Sequence, residues 1–382
     1  MTAGQMEWGR VIKGVGGRYT VRTAQGVCHL CLPKGALKKH AQMTLTVGDV
    51  VRFLPESAAG EGYITEIFPR RTYLRRPPLS NLTRVFVVAA ATTPAPSPLY
   101  LDKLFSVCSY AGIDACLVIN KTKKDTAKAK QMQAVYEKAG YDVYLTNAVE
   151  PHGADVLISL LQTLREEDIV AFAGASGVGK SSLINALFPA LQLPTGALSE
   201  KIARGKHTTR HVELFALPEI SQIACPPTNS SKTNDAQIMK QPSLQAEGME
   251  RKTAAQRKTT VDPSGEPYLP EMSVPGFGAE AEEPVNIGGG PYLADTPGFG
   301  MLDLQHFDFF DRSELPGTFR EFVPLLGTCR YTKCTHTVEE GCAIRAAVRR
   351  GDIAQCRHNS YCAMYAELKQ KDAYPKTADK KI

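Results

Sequence analysis

The stretch Gly174-Ala175-Ser176-Gly177-Val178-Gly179-Lys180-Ser181 fits the spacing G-x-x-x-x-G-K-[ST]. An apolar run, Ile169-Val170-Ala171-Phe172-Ala173, precedes it. Ser182-Leu183-Ile184-Asn185-Ala186-Leu187-Phe188 follows with apolar residues at helical spacing. Strand, glycine-rich loop and helix in that order make a phosphate-binding loop. The unbroken apolar strand belongs in a parallel sheet buried on both faces. The glycines let backbone N–H groups turn onto phosphate oxygens at a helix N-terminus. Lys180 supplies a point charge to the β- and γ-phosphates, and the Ser181 hydroxyl is a Mg²⁺ ligand, with Ser182 in the same nucleotide-contacting run.

Upstream, strand and helix patterns alternate. Thr83–Ala90, Asp114–Ile119 and Tyr141–Leu145 read as strands. Leu99–Ala111, Gln131–Ala139 and Ala154–Leu164 read as helices. Such alternation gives a parallel sheet wrapped by helices, with ligand loops at the carboxyl ends of the strands. Asn120-Lys121 lies at one such end and Asn147-Ala148 at the next. In GTPases an N-K-x-D motif holds the first position, its Asp accepting from guanine N1 and N2, and a backbone N–H of the second loop reaches guanine O6. Here the Asp position is Lys123, which cannot accept those bonds, and Asp125 stands two residues on. A guanine donor left unpartnered would cost about 1–3 kcal/mol, so a relaxed base preference is one reading of this loop.

Downstream, Arg204-Gly205-Lys206-His207-Thr208-Thr209-Arg210 leads into an alternating strand, Val212–Leu217. Tyr292-Leu293-Ala294 leads into Asp295-Thr296-Pro297-Gly298-Phe299. In D-x-x-G, Asp295 orients Mg²⁺ and the Gly298 N–H meets the γ-phosphate. Thr208 or Thr209 completes the Mg²⁺ shell, so both loops sense that phosphate. Between the two strands, residues 218–288 are rich in Pro, Ser, Thr, Gln and Glu with no sustained period, the pattern of a disordered insertion. A hairpin tip tolerates it because loop-closure entropy grows only logarithmically with length.

Residues 1–72 read as all-β. Trp8–Lys13, Arg18–Thr23, Gly26–Leu32, Asp49–Leu54 and Tyr63–Phe68 alternate and are separated by glycine-bearing turns, which suggests a small barrel of the OB type. Lys34, Lys38, Lys39 and His40 in one loop, and Arg70, Arg71, Arg75 and Arg76 after the last strand, would suit RNA. Cys28 and Cys31 resemble half a metal site, but on an alternating strand they point to opposite faces.

Near the C-terminus, Cys329, Cys334, His336 and Cys342 follow C-x4-C-x-H-x5-C. Three thiolates and one imidazole close a tetrahedral shell, which is a structural Zn²⁺ site. Arg330, Lys333, Arg345, Arg349, Arg350, Arg357 and His358 surround it, Gly351 separates two helical stretches, and Asp352 can N-cap the second. A basic, zinc-stapled module of this kind suits rRNA, and its position just after the D-x-x-G switch suggests that nucleotide state re-aims it.

The chain has 382 residues, ten Cys, a formal net charge of +6 and 43% hydrophobic residues: enough for two or three domains and mildly basic. It lacks a signal-peptide core near Met1, and its longest apolar run, near Val85–Ala91, is too short for a bilayer. A soluble, reduced, cytoplasmic protein without a membrane partner is expected.

The order of motifs is Asn120-Lys121, Asn147-Ala148, Gly174–Ser181, Thr208-Thr209, then Asp295–Gly298, a circular permutation of the usual GTPase order. With the barrel and the Cys/His cluster it resembles the ribosome small-subunit-dependent GTPase A (RsgA) family, over nearly all of the chain except about residues 218–288. The resemblance implies an OB-fold barrel (1–72), a circularly permuted α/β P-loop GTPase domain (73–312) and an α-helical zinc-binding domain (313–382). It implies GTP hydrolysis to GDP in late maturation of the 30S subunit, stimulated by that subunit, with 16S rRNA as a further partner, by a monomer using GTP/GDP, Mg²⁺ and one Zn²⁺. Phe299 stands where many GTPases carry a water-orienting Gln, and the resemblance points to His207 as the catalytic substitute, beside Lys180. The competing readings are an NTPase with relaxed base choice and a nucleotide-gated RNA-binding chaperone.

Overall fold

In a computed structural model of the chain, the described residues are 5–35, 44–55, 60–191, 212–217, 289–295 and 309–373. All belong to one of the two units into which the chain divides, Met1–Gln222 with Val274–Ile382; the other, Ile223–Ser273, lies outside the described residues.

Five strands open the chain: β1 (Glu7–Val15), β2 (Arg18–Arg22), β3 (Cys28–Pro33), β4 (Val50–Leu54) and β5 (Gly62–Ile67). β1 pairs with both β2 and β4, and β3 runs parallel to β5, so the ribbon closes into the expected barrel. Alternation fills it: Val11, Val21, Cys31, Val51, Phe53 and Ile64 point inward, each at 0% exposure. Cys31 is buried and Cys28 exposed, as the strand period requires. Arg70 is not part of a solvated basic surface. Its guanidinium is 2.7 Å from the fully buried Asp49 carboxylate, pinning the barrel's last turn. Lys34 is exposed, while Lys38, Lys39 and His40 lie outside the described residues.

A two-stranded hairpin absent from the sequence reading follows, β6 (Tyr73–Arg75) and β7 (Pro78–Ser80). Its proline-rich turn hides the strand pattern, but Leu74 and Leu79 are buried and anchor the barrel's exit to the next core.

The central sheet comprises β8 (Arg84–Ala90), β9 (Asp114–Asn120), β10 (Val143–Leu145), β11 (Ile169–Ala173), β12 (Glu213–Ala216) and β13 (Tyr292–Asp295), in the order β10-β9-β8-β11-β13-β12. All neighbours are parallel except β12 and β13, which pair antiparallel from Glu213↔Asp295 to Ala216↔Tyr292. Residues 218–288 therefore separate two strands that already form a hairpin. β12 also bridges β1 at Lys13↔Glu213, joining barrel and sheet.

Four helices flank this sheet: α1 (Pro98–Tyr110), α2 (Thr126–Lys138), α3 (Asp155–Leu161) and α4 (Lys180–Leu187). α2 starts ahead of the apolar periodicity because Asp125 accepts from the Lys128 N–H at 3.0 Å and caps a lysine-rich first turn. One sheet face, with Val85, Val87, Leu117 and Ile119, packs on α1 and α2; the other, with Phe86, Val88, Val118 and Phe172, packs on α3 and α4.

Residues 309–373 end in α5 (Ala343–Arg350) and α6 (Gln355–Ala373). Gly351 closes α5 in the left-handed region, φ 80°. Asp352 does not cap α6, which starts later; its carboxylate is 2.8 Å from Arg350 Nε. Phe319, Phe322, Ile344, Tyr361 and Met364 share one apolar core with α1 and the sheet. Arg357 is likewise not a surface cation. At 1% side-chain exposure it donates to Glu321 at 2.7 and 3.0 Å and to Asp102 of α1. An exposed arginine and a buried one look alike in sequence; here the aliphatic stem and three rings desolvate it. Re-aiming the module as a body would have to break this core. Among the described residues no helix is long and apolar enough to cross a membrane.

Candidate functional site

The glycine-rich loop leaves β11 and enters α4 at the carboxyl end of the parallel strands, where the crevice of an open α/β sheet forms. Gly174 has φ 146°, and a Cβ there would lie 2.2 Å from the Val88 carbonyl oxygen. Gly179 has φ 100°, and its Cβ would lie 2.3 Å from Asn120 Nδ2. Neither position admits a side chain without moving backbone or the base-side loop.

Lys180 folds back over the loop, its Nζ 2.7 Å from the carbonyl oxygens of both Gly174 and Ala175. Burial lowers its pKa to about 8. Ser181 and Ser182 occupy the first turn of α4 beside it.

The Asn120-Lys121 pair braces the same loop from β9. Asn120 is 2% exposed, donates from Nδ2 to the Val178 carbonyl at 3.1 Å and accepts at Oδ1 from the Ala148 N–H at 3.1 Å. Lys121, at φ 60°, donates to the Gly177 and Thr93 carbonyls, both at 2.7 Å. Desolvation, then neighbouring Lys124, lowers its pKa. Thr93 went unnoticed in the sequence, since a carbonyl acceptor leaves no side-chain signature. The structure thus brings Asn120, Lys121, Asn147, Ala148 and Gly174–Ser182 together, with one difference: the Ala148 N–H, expected to face guanine O6, is engaged by Asn120.

Asp295 ends β13, opposite Glu213 in register. Desolvation first, and Glu213 second, hold its carboxyl above the usual range. His207, Thr208, Thr209 and Gly298 lie outside the described residues.

The Cys/His cluster forms a second site. The ligand atoms of Cys329, Cys334, His336 and Cys342 all lie within 4.8 Å of one another. Cys329 and Cys342 Sγ are 3.9 Å apart, and each is 3.5 Å from His336 Nδ1. Tetrahedral Zn²⁺ with bonds of about 2.3 Å to sulfur and 2.0–2.1 Å to nitrogen requires separations of about 3.8 and 3.5 Å, so the donor set fits the ion. Backbone N–H groups support the sulfurs: Ala343 N is 3.3 Å from Cys329 Sγ and Arg345 N is 3.5 Å from Cys342 Sγ. His358 Nε2 lies 2.8 Å from the His336 carbonyl oxygen, tying α6 to the knuckle. Cys356 and Cys362 are residues of α6, outside the ligand set.

Comparison with known proteins agrees with this arrangement. Residues 67–230 match the RsgA GTPase family and residues 8–64 match the RsgA N-terminal domain. The small ribosomal subunit biogenesis GTPase RsgA of Alkaliphilus metalliredigens is 32% identical over 374 residues, covering 97% of this chain and 100% of that protein. Its counterpart in Caldanaerobacter subterraneus subsp. tengcongensis is 32% identical over 369 residues, covering 95% and 96%. Among solved structures, YloQ, described as a circularly permuted GTPase, superposes with a TM-score of 0.62 at 26% identity, covering 98% of this chain and 99% of that one. YjeQ from Thermotoga maritima shares the fold, with a TM-score of 0.65 at 24% identity and coverage of 96% and 99%.

Proposed function

The chain belongs to the RsgA family of circularly permuted GTPases, and from that premise we propose how its parts hydrolyse GTP on the small ribosomal subunit. It is a small ribosomal subunit biogenesis GTPase. The observation that carries the site is the convergence of Asn120, Lys121 and Lys180 on the carbonyl groups of one phosphate-binding loop.

On binding, Lys180 exchanges the Gly174 and Ala175 carbonyls for β- and γ-phosphate oxygens, and the loop N–H groups take the rest of the phosphate charge. Ser181, with Thr208 or Thr209, would hold Mg²⁺, and Asp295 would orient it; when bound, the ion would neutralise charge developing on the phosphates. The Gly298 N–H meets the γ-phosphate, and His207 orients the attacking water, the role that Phe299 cannot take. Because His207 lies in the same loop as Thr208 and Thr209, which senses the γ-phosphate, turnover is low until the ribosomal partner holds that loop in place.

Zn²⁺ bound by Cys329, Cys334, His336 and Cys342 staples the C-terminal module. The barrel and that module contact 16S rRNA of the 30S subunit, and the protein works as a cytoplasmic monomer. Sedimentation of the full-length chain with purified 30S subunits tests this. Association is expected with a non-hydrolysable GTP analogue, to weaken with GDP, and to lose its nucleotide dependence in Lys180→Ala. Equal association in every nucleotide state would refute nucleotide gating.

A further inference from the structure

The base end of the site departs from the guanine-reading pattern at Lys123, and the structure shows which carboxylate stands nearby. Any base-reading role for that carboxylate rests on nucleotide binding at the Gly174–Ser182 loop. Asp125, the nearest acid in the sequence, is committed elsewhere. Its Oδ1 caps α2 through the Lys128 N–H at 3.0 Å and its Oδ2 lies 3.3 Å from Lys128 Nζ. Turning it toward a base would uncap that helix.

The turn that carries Lys123 is tied instead to the loop after β10. Thr122 donates from both its N–H and its hydroxyl to the Thr146 carbonyl, at 3.4 and 3.1 Å. Lys123 Nζ meets the Glu150 carboxylate directly. Glu150 sits in a closed loop: its N–H donates to Asn147 O at 3.0 Å, Gly153 N–H donates to Glu150 O at 3.1 Å, and Asn147 N–H donates to Gly153 O at 2.8 Å. A Cβ at Gly153 would fall 2.0 Å from Asn147 O, so the closure depends on glycine there. The same loop carries Ala148, whose N–H reaches Asn120. Lys123, Glu150, Ala148 and Asn120 therefore share the base end of the site, and the Glu150 side chain is one-third exposed, at 31%.

We propose that Glu150, reaching in from the loop after β10, is the guanine-reading carboxylate of this protein, and that Lys123 is the positioning residue that holds it. A carboxylate has about four lone-pair sites, so it can keep Lys123 and still accept from guanine N1–H and N2–H. Adenine offers neither donor, hypoxanthine offers only N1–H, and xanthine presents a carbonyl at position 2. The cationic substitution at Lys123 then leaves guanine selection intact by moving the acceptor to a neighbouring loop.

Equilibrium binding of GDP, IDP, XDP and ADP to the full-length chain with Mg²⁺ tests the assignment. Glu150→Gln should weaken GDP by about 10- to 100-fold, the worth of hydrogen bonds to a charged acceptor, and should gain XDP, because the new amide donates to the xanthine carbonyl. Adding Lys123→Asp to Glu150→Gln should restore GDP, since the motif acid returns to its usual place. A GDP-to-XDP ratio in Glu150→Gln within about threefold of the unsubstituted chain, or an equal loss of all the diphosphates, would overturn the proposal. Lys180→Ala separates the two levels: it should weaken every diphosphate without changing their ratios. Unchanged binding there would remove the nucleotide site itself, and this assignment with it.

Discussion

Replacing Arg357 by Met removes one cation from between two carboxylates and leaves a side chain of similar volume. Arg357 and Asp102 have 1% and 0% side-chain exposure, and Glu321 has 6%. Breaking a buried pair by deleting one partner costs about 3–5 kcal/mol, because the remaining charge stays desolvated. The penalty depends on pH in a definite direction. Burial already raises the Asp102 carboxyl, against the pull of Arg357, so loss of the guanidinium raises it further above its unfolded value of about 3.9. A carboxyl with a raised folded pKa binds its proton more tightly when folded. Its stabilising contribution is complete below the unfolded pKa and is lost as pH rises through the folded one. The deficit of Arg357→Met should therefore grow as pH rises from near the unfolded value, about pH 4, to about pH 7. The assay is urea unfolding by circular dichroism at both pH values, with amide exchange of α6 as the local readout, since a multidomain chain need not unfold in one step. A loss below about 1 kcal/mol, or a deficit that shrinks as pH rises, would refute the view that this charge cluster fastens the C-terminal module to α1.

Gly179→Ala, whose Cβ would meet Asn120 Nδ2 at 2.3 Å, should add strain of about 1–3 kcal/mol and weaken GDP binding tenfold or more in equilibrium titrations, with the circular dichroism spectrum unchanged. Cys334→Ser, or chelation, should release the metal measured by elemental analysis and expose amides around Thr335–Glu339 to exchange, with the barrel's amides unaffected. Replacing residues 218–288 by a short glycine turn should leave GTP turnover within about twofold, because β12 and β13 are paired up to Ala216↔Tyr292 and loop length acts only logarithmically.

Much of this molecule is legible in its sequence because period and burial coincide. The barrel strands alternate, and only one alternation places Val51 and Phe53 inside together. β8, β9 and β11 are unbroken apolar runs because both faces are covered. The phosphate-binding loop and the Cys/His knuckle are legible because their chemistry demands fixed spacing. What sequence hides is pairing across space. Arg70 and Arg357 read as surface cations until Asp49, Asp102 and Glu321 are seen beside them. The carboxylate that faces Lys123 comes from another loop, at Glu150, where no linear motif would place it. The start of α2 and the β6–β7 hairpin escape because lysines and prolines carry no apolar period.

Activation by the small subunit is read directly from steady-state GTP hydrolysis by the full-length chain, with and without purified 30S subunits. Turnover should be slow for the chain alone, rise strongly with 30S subunits for GTP and not for ATP, and be lost under both conditions in Lys180→Ala. Turnover that is the same with and without the subunit would contradict that activation.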